Sequence, residues 1–184
     1  MSDVINLEDL FLDHLKDIYY AEKKILKALP KMAKKLGKDS ELAEAFEKHF
    51  EETQGQVERL EKVFDLIGEK AKAKKCEALD GLAEEAEELM KEVKCKETLA
   101  AGLLAGAQAV EHYEIARYGT LIEWAKLLGH DEAAELLEET LEEEKNTDEL
   151  LNKMAVDGIN KAALDAQEER QSEDDEEHPK RRAA

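Results

Sequence analysis

The chain has 184 residues and a formal net charge of −19. That length fits one domain with a short tail, and that charge excludes a nucleic-acid groove or an anionic membrane surface as the partner. The composition is rich in Ala, Glu, Leu and Lys and poor in aromatics, which points to helix, and no apolar run is long enough to span a bilayer.

The N-terminal MSDVINLEDL is acidic and lacks a charged-then-apolar leader, so the chain reads as soluble and cytoplasmic. A first helix is predicted from Asn6, a good N-cap with Asp9 in its first turn. Leu7, Phe11, Leu15, Ile18, Ile25 and Leu29 recur at helical spacing, with Glu22 on the same stripe. Pro30 is expected to kink or end this helix, and Gly37 to stop it. A second helix is expected from Asp39 or Ser40 to Gly68. Leu42, Phe46, Phe50, Val57, Leu60 and Phe64 form its inner side, with Thr53 and Gln56 among them and Glu52 at the edge. The lysine-rich Glu69–Lys75 reads as a loop. A shorter helix follows from about Ala78 to Val93, with Leu79, Leu82, Ala86 and Leu89 inward and Glu85 at the border.

A third long helix is predicted over Lys96–Leu128, closed by Gly129, and a fourth is capped by Asp131. The fourth turns Leu137, Leu141, Leu151 and Ala155 inward together with Glu144 and Asp148, spaced i, i+4. From Gln167 the chain loses its periodicity and reads as a charged, disordered tail, so the predicted division is a helical domain over 1–165 and a tail over 166–184. Cys76 and Cys95 have no zinc spacing and read as free thiols of a reducing compartment. Gly55, Gly102, Gly106 and Gly119 cost helix propensity, which close helix packing would explain.

Four long helices, with a span of roughly 25 residues between the second and third, suggest an all-α four-helix bundle whose long crossover carries the additional short helix, as ferritin-like bundles do. The third helix contains EHYE. Glu111 and Glu114 lie three residues apart on the face that also carries Ala107, Tyr118 and Leu121. Carboxylates turned into a helical core are costly unless a positive charge meets them. Each long helix supplies one or more polar groups at its core stripe: Glu22, then Glu52 with Gln56, then Glu111 with Glu114, then Glu144 with Asp148. A dinuclear iron or manganese site needs such a set of hard oxygen donors, and two divalent cations would cancel their repulsion. His49 is the one histidine placed to join them.

Several segments carry a resemblance to a known family. DIYYAEKKI (Asp17–Ile25), HFEETQGQVERL (His49–Leu60), CEALDGLAEEA (Cys76–Ala86), VEHYEIARYGTL (Val110–Leu121) and LEEEKNTDELL (Leu141–Leu151) together resemble the stress-induced YciE/YciF proteins of the ferritin-like superfamily, over residues 5 to 163. The resemblance implies a four-helical bundle with an added helix, a homodimer, and a di-iron or ferroxidase-type centre with Glu22, Glu111 and Glu114 in its ligand set. The implied reaction is oxidation of Fe(II) by dioxygen or peroxide in stress defence. The alternative is a non-catalytic dimeric helical stress protein whose acidic site binds metal weakly or is empty. Ferritin-like di-iron sites usually take Glu-x-x-His from two helices, and no Glu-x-x-His occurs in this chain. Glu51, Glu142 and Glu143 read as exposed neighbours of the inward positions, and Tyr19, Tyr113 and Tyr118 as core or interface residues.

Overall fold

The computed structural model describes residues 4–177, with backbone alone for residues 173–177. It contains α1 (Leu7–Leu36), α2 (Glu41–Leu66), α3 (Glu77–Glu92), α4 (Lys96–Leu128) and α5 (Asp131–Met154). α5 passes through one π-helical turn, Ala155–Ile159, into α6 (Asn160–Glu177). Local chemistry sets the ends. The Asn6 side chain accepts from the Asp9 N–H at 2.8 Å, and Ser40 Oγ accepts from the Ala43 N–H at 3.4 Å. Gly37 and Gly129 close α1 and α4 at φ 93° and 78°, where a side chain would be strained.

Three end-of-element expectations need correction. His130, not Asp131, is the N-cap of α5; Asp131 sits in the first turn, where a carboxylate suits the helix dipole. α1 runs unbroken past Pro30, because that proline is exposed and its helix is held by buried Leu29, Met32 and Ala33. The chain also continues as helix to Glu177, beyond the boundary expected at 165; the basic Lys180–Arg182 lies outside the described residues.

α1 pairs with α2, α4 with α5, α1 with α4, and α2 with α5, so the long helices form a square bundle. Tyr19 reaches Glu61 across the first pair, and Arg59 reaches Thr140 while His49 reaches Thr147 across the last. Neighbours are therefore antiparallel and the diagonal partners α2 and α4 are parallel, which only a long crossover can connect. The expected all-α, ferritin-like architecture with a helix in the crossover is the one found.

The crossover is strapped along α1. The Lys74 N–H donates to the Lys16 carbonyl at 3.0 Å, and Tyr20 Oη donates to Asp80 on α3 at 2.8 Å. α3 then lies over the seam of α1 and α4. Cys76 is its N-cap, and both Cys76 and Cys95 are buried free thiols. A Cβ added at Gly102 would meet the Leu89 side chain at 3.3 Å, so close packing accounts for that glycine; at Gly55, Gly106 and Gly119 nothing lies within 4 Å. Among the described residues no helix is long and apolar enough to cross a membrane.

Candidate metal centre

The core stripe of each long helix is apolar except near mid-length. On α1, Glu22 replaces an apolar residue between buried Ile18 and Ile25. On α4, Glu111 and Glu114 sit between Ala107 and Tyr118, and on α5 Glu144 sits between Thr140 and Thr147. On α2 the corresponding turn carries His49, Thr53 and Gln56. Glu22, Glu114 and Glu144 are 0% exposed, Glu111 2% and His49 4%. One donor atom from each of His49, Glu111, Glu114 and Glu144 lies within 4.8 Å of the others.

His49 is the hinge of this cluster. Its Nε2 stands 3.3 Å from Glu111 Oε1 and 3.9 Å from Glu144 Oε2, and its Nδ1 is 3.8 Å from Glu52. Thr53 Oγ1 donates to the His49 carbonyl at 2.7 Å, tying that turn of α2 together. The Tyr118 hydroxyl, fully buried, donates to Glu22 Oε1. Beyond these contacts the carboxylates are orphaned. Both oxygens of Glu114 and of Glu144, Oε2 of Glu22 and of Glu111, and the Gln56 carbonyl oxygen are buried with no hydrogen-bond partner.

Without a cation such an arrangement holds protons. Burial, reinforced by the charge of Glu144, pushes the Glu22 carboxyl up to about 8. Burial, with the charge of Glu22 adding to it, likewise pushes Glu111 up to about 8. Glu114 and Glu144 are raised well above the usual carboxylate range, chiefly by burial and then by the neighbouring carboxylates. Burial alone would lower the His49 imidazole, but Glu52, Glu144 and Glu22 around it raise it on balance.

The structure thus gathers Glu22, Glu111, Glu114 and Glu144 at the centre; Gln56 is buried on α2, with its carbonyl oxygen unpartnered and its amide donating to Glu143. Glu52 and Asp148 are each half-buried at the edge of this set, with Asp148 Oδ1 buried and without a hydrogen-bond partner and its charge adding to the burial that raises Glu111. Glu52 pairs with Lys48 at 2.9 Å, and Asp148 forms an ion pair with exposed His112 at 3.2 Å. The main addition is His49, which takes the place on α2 that Glu52 was expected to fill. The inward stripe of α2 runs through His49, Thr53 and Gln56, which leaves Glu52 at its edge. Glu143, expected to be an exposed charge, is half-buried. It accepts from Arg59 at 2.8 and 3.0 Å and from Gln56 Nε2 at 3.0 Å. Arg59 and Thr140, bonded at 2.7 Å, complete this brace. An arginine one turn beyond Gln56 on α2 was the available signal for it.

The donor set suits hard or borderline divalent cations: carboxylates, one amide carbonyl and one imidazole, with oxygen lone pairs already desolvated and aimed inward. Iron and manganese fit this chemistry. The residues that would hold them are Glu22, His49, Glu111, Glu114 and Glu144, with Gln56 beside them.

Comparison with known proteins agrees with this architecture. Residues 6–164 match the family described as Domain of unknown function (DUF892). The chain is 47% identical over 158 residues to Protein YciF of Escherichia coli K12, covering 85% of this chain and 95% of that protein. The crystal structure of the E. coli stress protein YciF superposes with a TM-score of 0.81 at 46% identity, over 86% of this chain and 99% of that one. YcfI of Rhodopseudomonas palustris, for which a structural role has been suggested, gives 0.79 at 50% identity, over 82% and 96%. A protein of Xanthomonas campestris pv. campestris gives 0.70 at 26% identity, over 89% and 99%.

Proposed function

The chain belongs to the DUF892 family, that of the E. coli stress protein YciF, and from that premise we propose that it binds a dinuclear iron or manganese centre and oxidises Fe(II) with dioxygen or peroxide in stress defence. The observation that carries this reading is the set of buried, unpartnered carboxylate oxygens from three helices around a buried imidazole on the fourth. Placing that many acids in a core is costly, on the order of several kcal/mol per uncompensated charge, and a polar network alone would have supplied donors to them.

A bound metal pair would supply one-electron redox chemistry and neutralise the carboxylates. The chain's own residues do the rest. Glu22 is held in orientation by Tyr118. Gln56 is held by Glu143 and Arg59, which leaves its carbonyl free. The carboxyls of Glu111 and Glu114, and the His49 imidazole at Nε2, would release protons when cations enter. In the overall reaction two ferrous ions give one electron each. Dioxygen takes both with two protons and leaves as hydrogen peroxide; peroxide takes both with two protons and leaves as two waters.

The same reading takes the protein as a cytoplasmic homodimer, a setting that suits two unpaired thiols. The single imidazole in the cluster favours a second reading, a non-catalytic stress protein whose acidic centre binds metal weakly. One experiment separates them. Protein purified without added metal is assayed for iron and manganese, then mixed aerobically with Fe(II) while ferric absorption is followed. Stoichiometric binding and oxidation faster than buffer are expected. Weak binding or none, without oxidation above buffer, would sink the first reading and select the second.

A further inference from the structure

Two clefts of opposite character end on the same pair of residues, His49 and Glu111. One lies between α2, α4 and α5 and has a volume of about 220 Å³. Lys48, Glu52, Glu143, Asn146 and Thr147 make it polar, and it is the natural way in for a hydrated cation. The other lies between α1, α3 and α4, with a volume of about 40 Å³. Leu29, Met32, Leu82, Ala86, Gly106 and Ala107 line it, and Lys24, His49 and Glu111 are its only ionisable residues. We infer that this second cleft is a passage for dioxygen, and that dioxygen rather than peroxide is the oxidant it delivers to the edge of the metal centre. This rests on the proposed metal-oxidase reading.

Size and polarity select the occupant. A volume of roughly 10–15 Å³ already admits one water, so about 40 Å³ has room for a diatomic gas. A water or a peroxide would need several hydrogen-bond partners along the way, and the aliphatic walls give none. Dioxygen needs none. The helix propensity of α4 points the same way. Gly106 stands in mid-helix, where alanine is preferred. A Cβ there would meet nothing within 4 Å, so packing does not require the glycine. A side chain longer than a methyl group at this lining position would reach into the cleft. α3, which supplies no ligand, closes the outer side with Leu82, Ala83 and Ala86.

The test blocks the cleft and reads it in two ways. Gly106→Leu fills the passage from inside; Ala83→Met, at a half-buried position of α3, fills it from the mouth and serves if the first variant fails to fold. Gly106→Ala is the control that leaves it open. In the metal-free proteins, xenon is expected to bind in the cleft of the wild type and of Gly106→Ala, seen in pressurised crystals, and to be lost from the blocked variants. With Fe(II) loaded, the blocked variants should bind iron normally, oxidise it with dioxygen at least tenfold more slowly, and oxidise it with added peroxide at the wild-type rate. No xenon in the wild-type cleft, an unchanged dioxygen rate in a blocked variant, or equal slowing with both oxidants would overturn the inference. Wild type that binds xenon but oxidises no iron would instead remove the metal-oxidase reading, and the passage with it, while leaving a gas-sized apolar site.

Discussion

Glu114 has both carboxylate oxygens buried and unpartnered, and its proton is held by burial before any neighbour is considered. Glu114→Gln removes one acid from the cluster at nearly constant volume. The metal-free variant should melt higher than the wild type by about 2–4 °C for each kcal/mol of protonation cost removed, while iron binding and oxidation fall below detection; normal iron oxidation by this variant would place the centre elsewhere. The pH dependence follows from the same residues. Unfolded, the carboxyls ionise near 4.5, whereas folded Glu22 and Glu111 hold protons up to about 8. Between those values the folded state binds more protons than the unfolded chain, so stability falls as pH rises. The raised His49 acts in the same direction, since its stabilising proton is lost as pH climbs. The metal-free protein should therefore melt lower at about pH 8 than at about pH 6, and saturation with Mn(II) should remove that slope. A melt that rose over this interval would contradict the raised carboxyls.

Arg59 belongs to this scale too. It reaches from the surface towards the centre, through Glu143 to Gln56. Arg59→Met keeps the aliphatic stem but leaves Glu143 unpaired. A loss of about 1–3 kcal/mol in denaturant melts is expected, with weaker metal binding because Gln56 is no longer held; unchanged metal affinity would show that the brace serves stability alone.

Elements differ in how far their sequence foretells them. α4 matches its expected bounds, Lys96–Leu128, because a cysteine-flanked start, an uninterrupted apolar pattern and Gly129 all agree. The buried stripe of α1 with Glu22 in it was also readable from spacing. On α2 the spacing places Thr53 and Gln56 inward and Glu52 at the edge, as found, but does not rank His49 above Glu52 as the inward donor. Glutamates there occupy Glu51 and Glu52, composition favoured a carboxylate, and only tertiary contact with α4 and α5 reveals that His49 faces inward. The same limit applies to Glu143, whose half-buried position depends on an arginine from another helix. α6 was read as tail because its sequence has no amphipathic face. It forms as a continuation of α5 along α4, with few buried groups of its own. Deleting residues 168–184 should therefore shift the melting midpoint by no more than about 2–4 °C; a collapse of the fold would mean that α6 contributes far more than its exposure indicates.

At the scale of the molecule, the bundle joins donors that are distant in sequence. Glu22 and Tyr118 are bonded across the α1–α4 seam, and His49 meets Glu144 across the α2–α5 face. The parallel relation of α2 and α4 gives this a kinetic consequence. Each antiparallel pair, α1 with α2 and α4 with α5, can assemble from local contacts, whereas joining the pairs closes long loops and comes late. The first hairpin brings Glu22, His49 and Gln56; the second brings Glu111, Glu114 and Glu144. Neither carries the whole donor set. Without a cation the carboxyls must take up protons as the half-sites dock, and on the proposed reading a divalent cation would replace those protons as a clasp between two preassembled hairpins.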